Sequence, residues 1–344
     1  MPDFAELIDE KQAAPDKQIV KIQRLIGEIE ELFTHRPLVV YAADINKTHP
    51  DVPNLIYPLD KTMFADLLDS VGASESVDVL LQSPGGYADA TEQLVNMLRG
   101  RFPSVHFYVP HTAKSAATMM VCSGDRVFMD HRSELGPIDP QMRIPKAGGV
   151  FINVPAQAYL DGFDQVRQLV DKEGKLSGAY IPVLNQVDVS ILQMCLNAIE
   201  HSKILVKTWL QNYMFAGQPD AEQRASTIAN KLSEHRAFLS HGRPLGIRQV
   251  QELGLVVGDL KDTPELQAKI WELYCRIELL FDGTPWVKVF MSKNYMVGKF
   301  VQVPRVVEIP VRQPAPPEIS PQPPSQPAPS DKEAKRGKGR KRRR

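Results

Sequence analysis

The stretch SVDVLLQSPGGYADATEQLVNMLRG, residues 76–100, carries the reading of the fold. Its first part, 76–86, is an apolar run ending in Pro84-Gly85-Gly86, which reads as a buried strand closed by a sharp turn. A helix over 87–100 follows at once and stops at Gly100, a residue suited to the left-handed end of a helix. Outward from this unit the alternation recurs. PLVVYAAD (37–44) reads as a strand, KTMFADLLDSV (61–71) as a helix and SVHFYVP (104–110) as a strand. AKSAATMMVCSGD (113–125) reads as a small-residue helix and RVFMD (126–130) again as a strand. Strands and helices in turn predict an α/β domain with a largely parallel sheet.

Around that core the character changes. Residues 17–34 place Ile19, Ile22, Ile26 and Ile29 at helical spacing, an amphipathic helix expected to pack on its own body. Residues 145–182 read as a loop and then a helical piece over 160–175. A long helix is expected over 188–215, with Ile191, Met194, Cys195, Ala198 and Ile199 on one face, and another over 264–281. Ten prolines lie between Pro304 and Pro329, mixed with Gln, Ser and Ala, a composition that predicts an extended, disordered linker. The expected organisation is an N-terminal helical extension (1–36), the main domain (37–260), a C-terminal helical segment (261–303), and a Pro-rich linker with a basic tail (304–344). No internal repeat is present.

The net charge of zero hides an asymmetry. Residues 331–344 hold nine Lys or Arg and two acids, so the tail is +7 and the rest of the chain −7. Such a tail is suited to acidic partners, nucleic acid or anionic lipid. No aromatic residue interleaves it, which argues against sequence-specific RNA reading. Cys122, Cys195 and Cys275 are odd in number and far apart, which argues against a disulfide framework and a zinc site; no metal or cofactor is expected. The acidic, polar start shows no secretory signal, and no run reaches the ~20 apolar residues of a membrane span. A cytoplasmic protein is expected, with association to membranes left open.

Two segments carry chemistry. In LLQSPGGYADA (80–90) paired glycines let the backbone turn sharply and expose N–H groups, which can face an oxyanion or a phosphate. In HTAKSAATMMVCSGDRVFMDHRSELGPIDPQ (111–141), Ser115 lies among Ala113, Ala116 and Ala117, small neighbours that admit a substrate backbone. Ser115 also falls where a helix begins, and the Ala116 amide can join the glycine turn in an oxyanion hole. From these residues alone a plain N-cap serine is favoured over a nucleophile.

SPGG (83–86) and AKSAAT (113–118), on consecutive strand–helix units, resemble the Clp protease proteolytic subunit and signal peptide peptidase A. The run SGDRVFMDHRSELGPIDPQ (123–141) is similar to the serine dehydrogenase proteinase branch of that class. Asp125, ten residues after Ser115, matches the aspartate that opens a strand in signal peptide peptidases, and HGRPLGIRQVQELGLVV (241–257) resembles the segment that closes these domains. The likeness spans residues 37–258. It implies the spiral, ClpP/crotonase-like α/β fold, peptide or protein substrates (membrane proteins included) and a homo-oligomer enclosing its sites. It implies Ser115 as nucleophile, Gly85-Gly86 as the oxyanion turn, and the amides of Gly86 and Ala116 as donors.

The base departs from the pattern. Where the Clp subunit has its histidine stand Ile138, Asp139 and Pro140, and His131 falls at the end of the preceding strand, so the histidine triad is not expected. A lysine, as in signal peptide peptidases, is implied instead: Lys175, with Lys172 as the alternative, since the strict position holds Ser177. A lysine base must be neutral at working pH, which requires burial to lower a pKa ordinarily near ~10.4. Lys114 is a poor base, because adjacent side chains on a helix diverge. Metal roles for His235 and His241 are not expected without acidic or cysteine partners at ligand spacing. Met119, Met120 and Cys122 read as a buried helix face, and Trp271, Tyr274 and Leu279 as packing for a C-terminal helix.

The leading reading is therefore a serine endopeptidase of Ser–Lys type. A catalytically inactive Clp-like scaffold is the alternative, motivated by the missing strict-register lysine. An acyl-CoA enzyme on the same fold is the third, against which Ser115 argues.

Overall fold

A computed structural model describes residues 2–301 apart from 34, 48–51, 146–148, 150, 175–177 and 186. The chain begins with α1 (Phe4–Ala13) and α2 (Gln18–Leu32), then β1 (Leu38–Ala43), α3 (Asp60–Asp69), β2 (Ser76–Gln82), α4 (Ala88–Arg101) and β3 (Ser104–Tyr108). Next come β4 (Thr112–Ala113), α5 (Ala116–Val121), β5 (Arg126–Met129), β6 (Glu134–Leu135) and a hairpin of β7 (Gln141–Pro145) and β8 (Phe151–Pro155). The helices α6 (Ala156–Glu173), α7 (Ile181–Leu184), α8 (Val189–Trp209), α9 (Ala221–Ser233) and α10 (His235–Phe238) follow. The described chain closes with β9 (Leu245–Gly246), α11 (Ile247–Leu253), β10 (Val257–Asp259), α12 (Pro264–Phe281), β11 (Trp286–Ser292) and β12 (Tyr295–Phe300).

The main sheet has seven strands in the order β10-β5-β3-β2-β1-β11-β12. The first five are parallel, and β11 joins antiparallel to β1. Alternation along β1 explains why its run is apolar throughout. Val39 and Tyr41 point to one face with Val77, Val79, Leu81, Val105 and Phe107. Leu38, Val40 and Ala42 point to the other, against Ile22, Ile26 and Ile29 of α2 and Ile270, Leu273 and Ile277 of α12. A second sheet, β4-β6-β9, stands beyond the ends of the parallel strands, with β4 parallel to β6 and β9 antiparallel to it.

The α/β alternation read from the sequence is the observed one, with three corrections. Residues 286–300, taken as part of a helical segment, form the β11–β12 hairpin at the sheet edge. The N-terminal helix α2 packs on its own body, as expected, with Ile22, Ile26 and Ile29 against Leu38, Val40 and Ala42 of β1. The small-residue helix is six residues long rather than spanning 113–125, because residues 112–113 pair as a strand and Ser115 leaves helical geometry. On α8, Cys195 and Ile199 are buried but Met194 is exposed, so the expected apolar face is narrower. Met119, Met120 and Cys122 are buried beneath α5, and Tyr274 and Leu279 pack with Leu7 of α1. Among the described residues no helix is long and apolar enough to cross a membrane. The linker and tail expected over 304–344 lie outside the described residues.

Candidate active site

Ser115 is where β4 hands over to α5. Its backbone sits at φ 53°, ψ −121°, a region that costs a non-glycine residue of order 1–3 kcal/mol. The N-cap position is the one the sequence suggested, but the hydroxyl makes no capping bond. Among the described residues Oγ has no hydrogen-bond partner, and the side chain is half-buried. The strained backbone thus holds a free hydroxyl at the edge of a buried small-residue cluster of Ala113, Ala116 and Ala117.

The glycine turn is laced to this strand. Ser83 N–H donates to the Thr112 carbonyl (2.9 Å), and the Ser83 carbonyl accepts from Lys114 N–H (3.1 Å). Gln82 Oε1 accepts from Thr112 N–H at 2.9 Å, and Ser83 Oγ from Gly85 N–H at 3.1 Å. Gly85 has φ +104°, and a Cβ there would stand 2.6 Å from the Lys114 carbonyl oxygen, 2.8 Å from Ser115 Cβ and 3.2 Å from Ala116 N. Only glycine lets the turn come this close. Gly86 is fixed from the other side. Ile56 N–H donates to the Gly85 carbonyl (2.8 Å), the Ile56 carbonyl accepts from Tyr87 N–H (3.0 Å), and a Cβ on Gly86 would collide with the Ile56 backbone. Among the described residues, the N–H groups of Gly86 and Ala116 have no acceptor.

Behind Ser115, Asp125 takes Arg99 of α4 on its two oxygens (3.0 and 3.3 Å) and the Val105 amide (2.7 Å). It ties the exit of α5 to α4 and to the start of β3. Lys114 reaches the Gly242 carbonyl (2.9 Å) and Glu134 Oε1 (2.8 Å), so its ammonium is held by partners.

Lys175 lies outside the described residues. Lys172 is exposed near the end of α6, without the burial a lysine base needs. The sequence reading missed a different cluster. The Asp139 carboxylate is 1% exposed, with His241 Nδ1 at 2.7 Å from one oxygen and His235 Nδ1 at 2.9 Å from the other. Gln141 Nε2 donates to it at 3.3 Å. Asp139 stands in the neighbourhood named above for a histidine, while His241 opens the closing segment and His235 lies six residues before it. Among the described residues no group of three His, Cys, Asp or Glu is arranged to hold a metal ion.

A family model described as ClpP-like SDH-type serine proteinase matches residues 67–279. Two proteins of Methanocaldococcus jannaschii, themselves uncharacterized, are similar. MJ0137 is 26% identical over 200 residues, 58% of this chain and 58% of its own length; MJ1495 is 25% identical over 223 residues, 63% and 65%. The chain spans about three fifths of the length of these curated relatives. Among solved structures, a mutant of the 1510-N membrane-bound stomatin-specific protease aligns with 62% of this chain and 79% of that chain, at 17% identity and TM-score 0.37. ClpP1 from Listeria monocytogenes aligns with 72% and 97%, at 12% identity and TM-score 0.35.

Proposed function

This chain belongs to the family of ClpP-like SDH-type serine proteinases, and on that premise we propose that it hydrolyses peptide bonds with Ser115 as nucleophile. Ser115 Oγ attacks the scissile carbonyl carbon while a base takes the hydroxyl proton. The carbonyl oxygen becomes an oxyanion between the N–H groups of Gly86 and Ala116. The base returns its proton to the leaving amine as the C–N bond breaks, and water then releases the acyl group. The observation that carries this reading is the contact at Gly85: an added Cβ would meet both Ser115 Cβ and Ala116 N, so glycine turn and serine share one spot. Two unpaired amides beside an unpaired hydroxyl support acyl transfer rather than a cap. In the dyad form of the reading the proton acceptor is Lys175, or Lys172.

Labelling with a fluorophosphonate probe, with the modified peptide mapped, tests the nucleophile. Labelling on Ser115 that vanishes in Ser115→Ala is expected. A folded protein that takes no label up to pH ~9, where a moderately shifted lysine is partly neutral, overturns the reading and favours the inactive scaffold.

A further inference from the structure

We propose that Lys288 acts on the oxyanion hole from behind: its buried ammonium positions and polarises the Gly86 N–H through two peptide groups joined by hydrogen bonds. Lys288 is a positioning residue in this role, and the inference rests on the reading of Ser115 as nucleophile and Gly86 as oxyanion donor.

The first observation is a chain of bonds. Lys288 Nζ donates to the Leu55 carbonyl. In a trans peptide group the carbonyl and the following N–H point in opposite directions, so the Ile56 N–H leaves the far side of the same plane. It donates to the Gly85 carbonyl at 2.8 Å. That carbonyl shares its plane with the Gly86 N–H, which therefore points away from Ile56 and has no acceptor among the described residues. The Ile56 carbonyl accepts from Tyr87 N–H at 3.0 Å, a second bond that keeps the two planes from swivelling. Both peptide dipoles thus run in one sense, with their N–H ends toward the oxyanion site. Hydrogen bonds linked in this way polarise one another. A positive charge at the head makes the last N–H a stronger donor.

The second observation is how the ammonium is held. Lys288 is wholly buried on β11, between the equally buried Val287 and Val289. Asp60, at the start of α3, is also wholly buried. It takes Lys288 Nζ at 2.8 Å, Lys299 Nζ of β12 at 2.5 Å, the Tyr41 hydroxyl at 2.7 Å and the Tyr57 N–H at 3.0 Å. Lys288 and Lys299 are partners across the β11–β12 hairpin, which brings both to this one carboxylate. Two cations against one anion leave the cluster positive, and the Leu55 carbonyl receives that surplus. Because Asp60 also holds Tyr57, the residues on either side of Ile56 are fixed by the same cluster. Replacing a buried ion cluster by apolar residues is often neutral or stabilising, so stability alone accounts poorly for this one.

Leu55, Ile56, Asp60, Lys288 and Lys299 all lie outside residues 67–279, so the relay is a feature of this chain beyond the part that the family model matches. The other donor, the Ala116 N–H, stands at the start of α5 and does not depend on it. The oxyanion forms only as the acyl group is transferred, so a donor strengthened at that moment acts on the transition state rather than on ground-state binding. A weaker Gly86 donor therefore lowers kcat and leaves KM unchanged.

The test is p-nitrophenyl butyrate hydrolysis and fluorophosphonate labelling by the full chain at pH 7, with Ser115→Ala as the blank. Circular dichroism checks that each variant is folded at the assay temperature. Lys288→Met is expected to lower kcat and the labelling rate by about 10–10²-fold, less than the ~10²–10³-fold of a donor removed outright, with KM unchanged. Lys299→Gln is the control, since it weakens the same Asp60 cluster without touching Leu55; both of its rates should stay near those of the wild type. If Lys288→Met does not fold, Lys288→Gln, which keeps an N–H donor without the charge, should show a smaller loss of kcat, again at constant KM. Wild-type rates in a folded Lys288→Met or Lys288→Gln chain overturn the inference and leave Ser115 as the nucleophile. Equal rate losses in Lys288→Met and Lys299→Gln that follow their loss of stability also overturn it, and reduce the cluster to holding the fold. So does a higher KM with kcat unchanged. Neither hydrolysis nor labelling by the wild-type chain overturns the inference together with the reading beneath it.

Discussion

Replacing Gly85 by alanine strikes the joint between the glycine turn and Ser115. The residue sits at φ +104°, and the new Cβ would meet the Lys114 carbonyl oxygen at 2.6 Å and Ser115 Cβ at 2.8 Å. Two costs add. Holding alanine in that backbone region costs of order 1–3 kcal/mol. Pushing a methyl into a filled space costs another ~1–3 kcal/mol, and here the obstacles include backbone, which yields little. The sum is about 2–6 kcal/mol. With an unfolding entropy of about 2.1 cal/mol/K per residue, a unit of this size shifts by roughly 1.5 °C per kcal/mol, and the melting temperature should fall by roughly 3–10 °C. Activity should fall further than stability. Relief of the overlap moves the turn from Ser115, and a displacement near ~1 Å costs on the order of 10²-fold in rate. Gly100→Ala serves as the control, because nothing lies within 4 Å of its added Cβ and it sits in α4. It should gain about 0.5–1 kcal/mol and leave labelling unchanged. Circular-dichroism melts and fluorophosphonate labelling rates on both variants decide. A Gly85→Ala chain that melts and labels like the wild type would falsify the close approach of turn and nucleophile.

Two further predictions concern buried charge. Lys288 is wholly buried, donates to Asp60 (2.8 Å) and to the Leu55 carbonyl, and is pushed down by burial to about 8. Because its folded value lies below its ordinary 10.5, wild-type stability should rise between pH 8 and 10.5; Lys288→Met should lose that rise. The variant should also lose about 1–3 kcal/mol at pH 8 through the unpaired Leu55 carbonyl and the weakened Asp60 cluster; urea melts at both pH values check this, and parallel curves would refute it. Glu278 is pushed up to about 7, first by burial and then by Asp44. A folded value above the ordinary 4.5 makes wild-type stability fall as pH rises from 4.5 to 7. Glu278→Gln should abolish that fall and gain about 1–3 kcal/mol above pH 7, read from melts at pH 5 and 8; an unchanged difference between the two pH values would count against it.

How far the sequence can be read depends on how local the signal is. The parallel strands were legible because both faces of β1 and β2 are buried, which leaves almost unbroken apolar runs. The β11–β12 hairpin had a signal too: WVKVFMS and YMVGKF flank the two residues Lys293 and Asn294, a spacing that marks a tight turn. The expected helical segment 261–303 takes it in, because the hairpin begins only a few residues after α12 ends. The shortening of α5 was not legible, since it depends on Ser115 leaving helical geometry when residues 112–113 pair with β6. Asp139 and His241 stand 102 positions apart and meet only after β6 and β9 pair, so no spacing rule could find them.

That contrast follows from what each part of the site is made of. The nucleophile and the oxyanion donors are backbone features of two adjoining strand–turn–helix units, and their glycine and small-residue requirements are written at fixed offsets. A base is a side chain, which any element can deliver if it reaches the nucleophile. The bonding around the turn fits this division. Ser83 locks it to β4, Ile56 clasps it from the opposite side, and Lys288 holds Leu55, the residue before Ile56. Loosening any of these moves the oxyanion amides. Gly85→Ala should therefore slow labelling at Ser115 on the order of 10²-fold although it only adds a methyl group, because it moves the donors themselves.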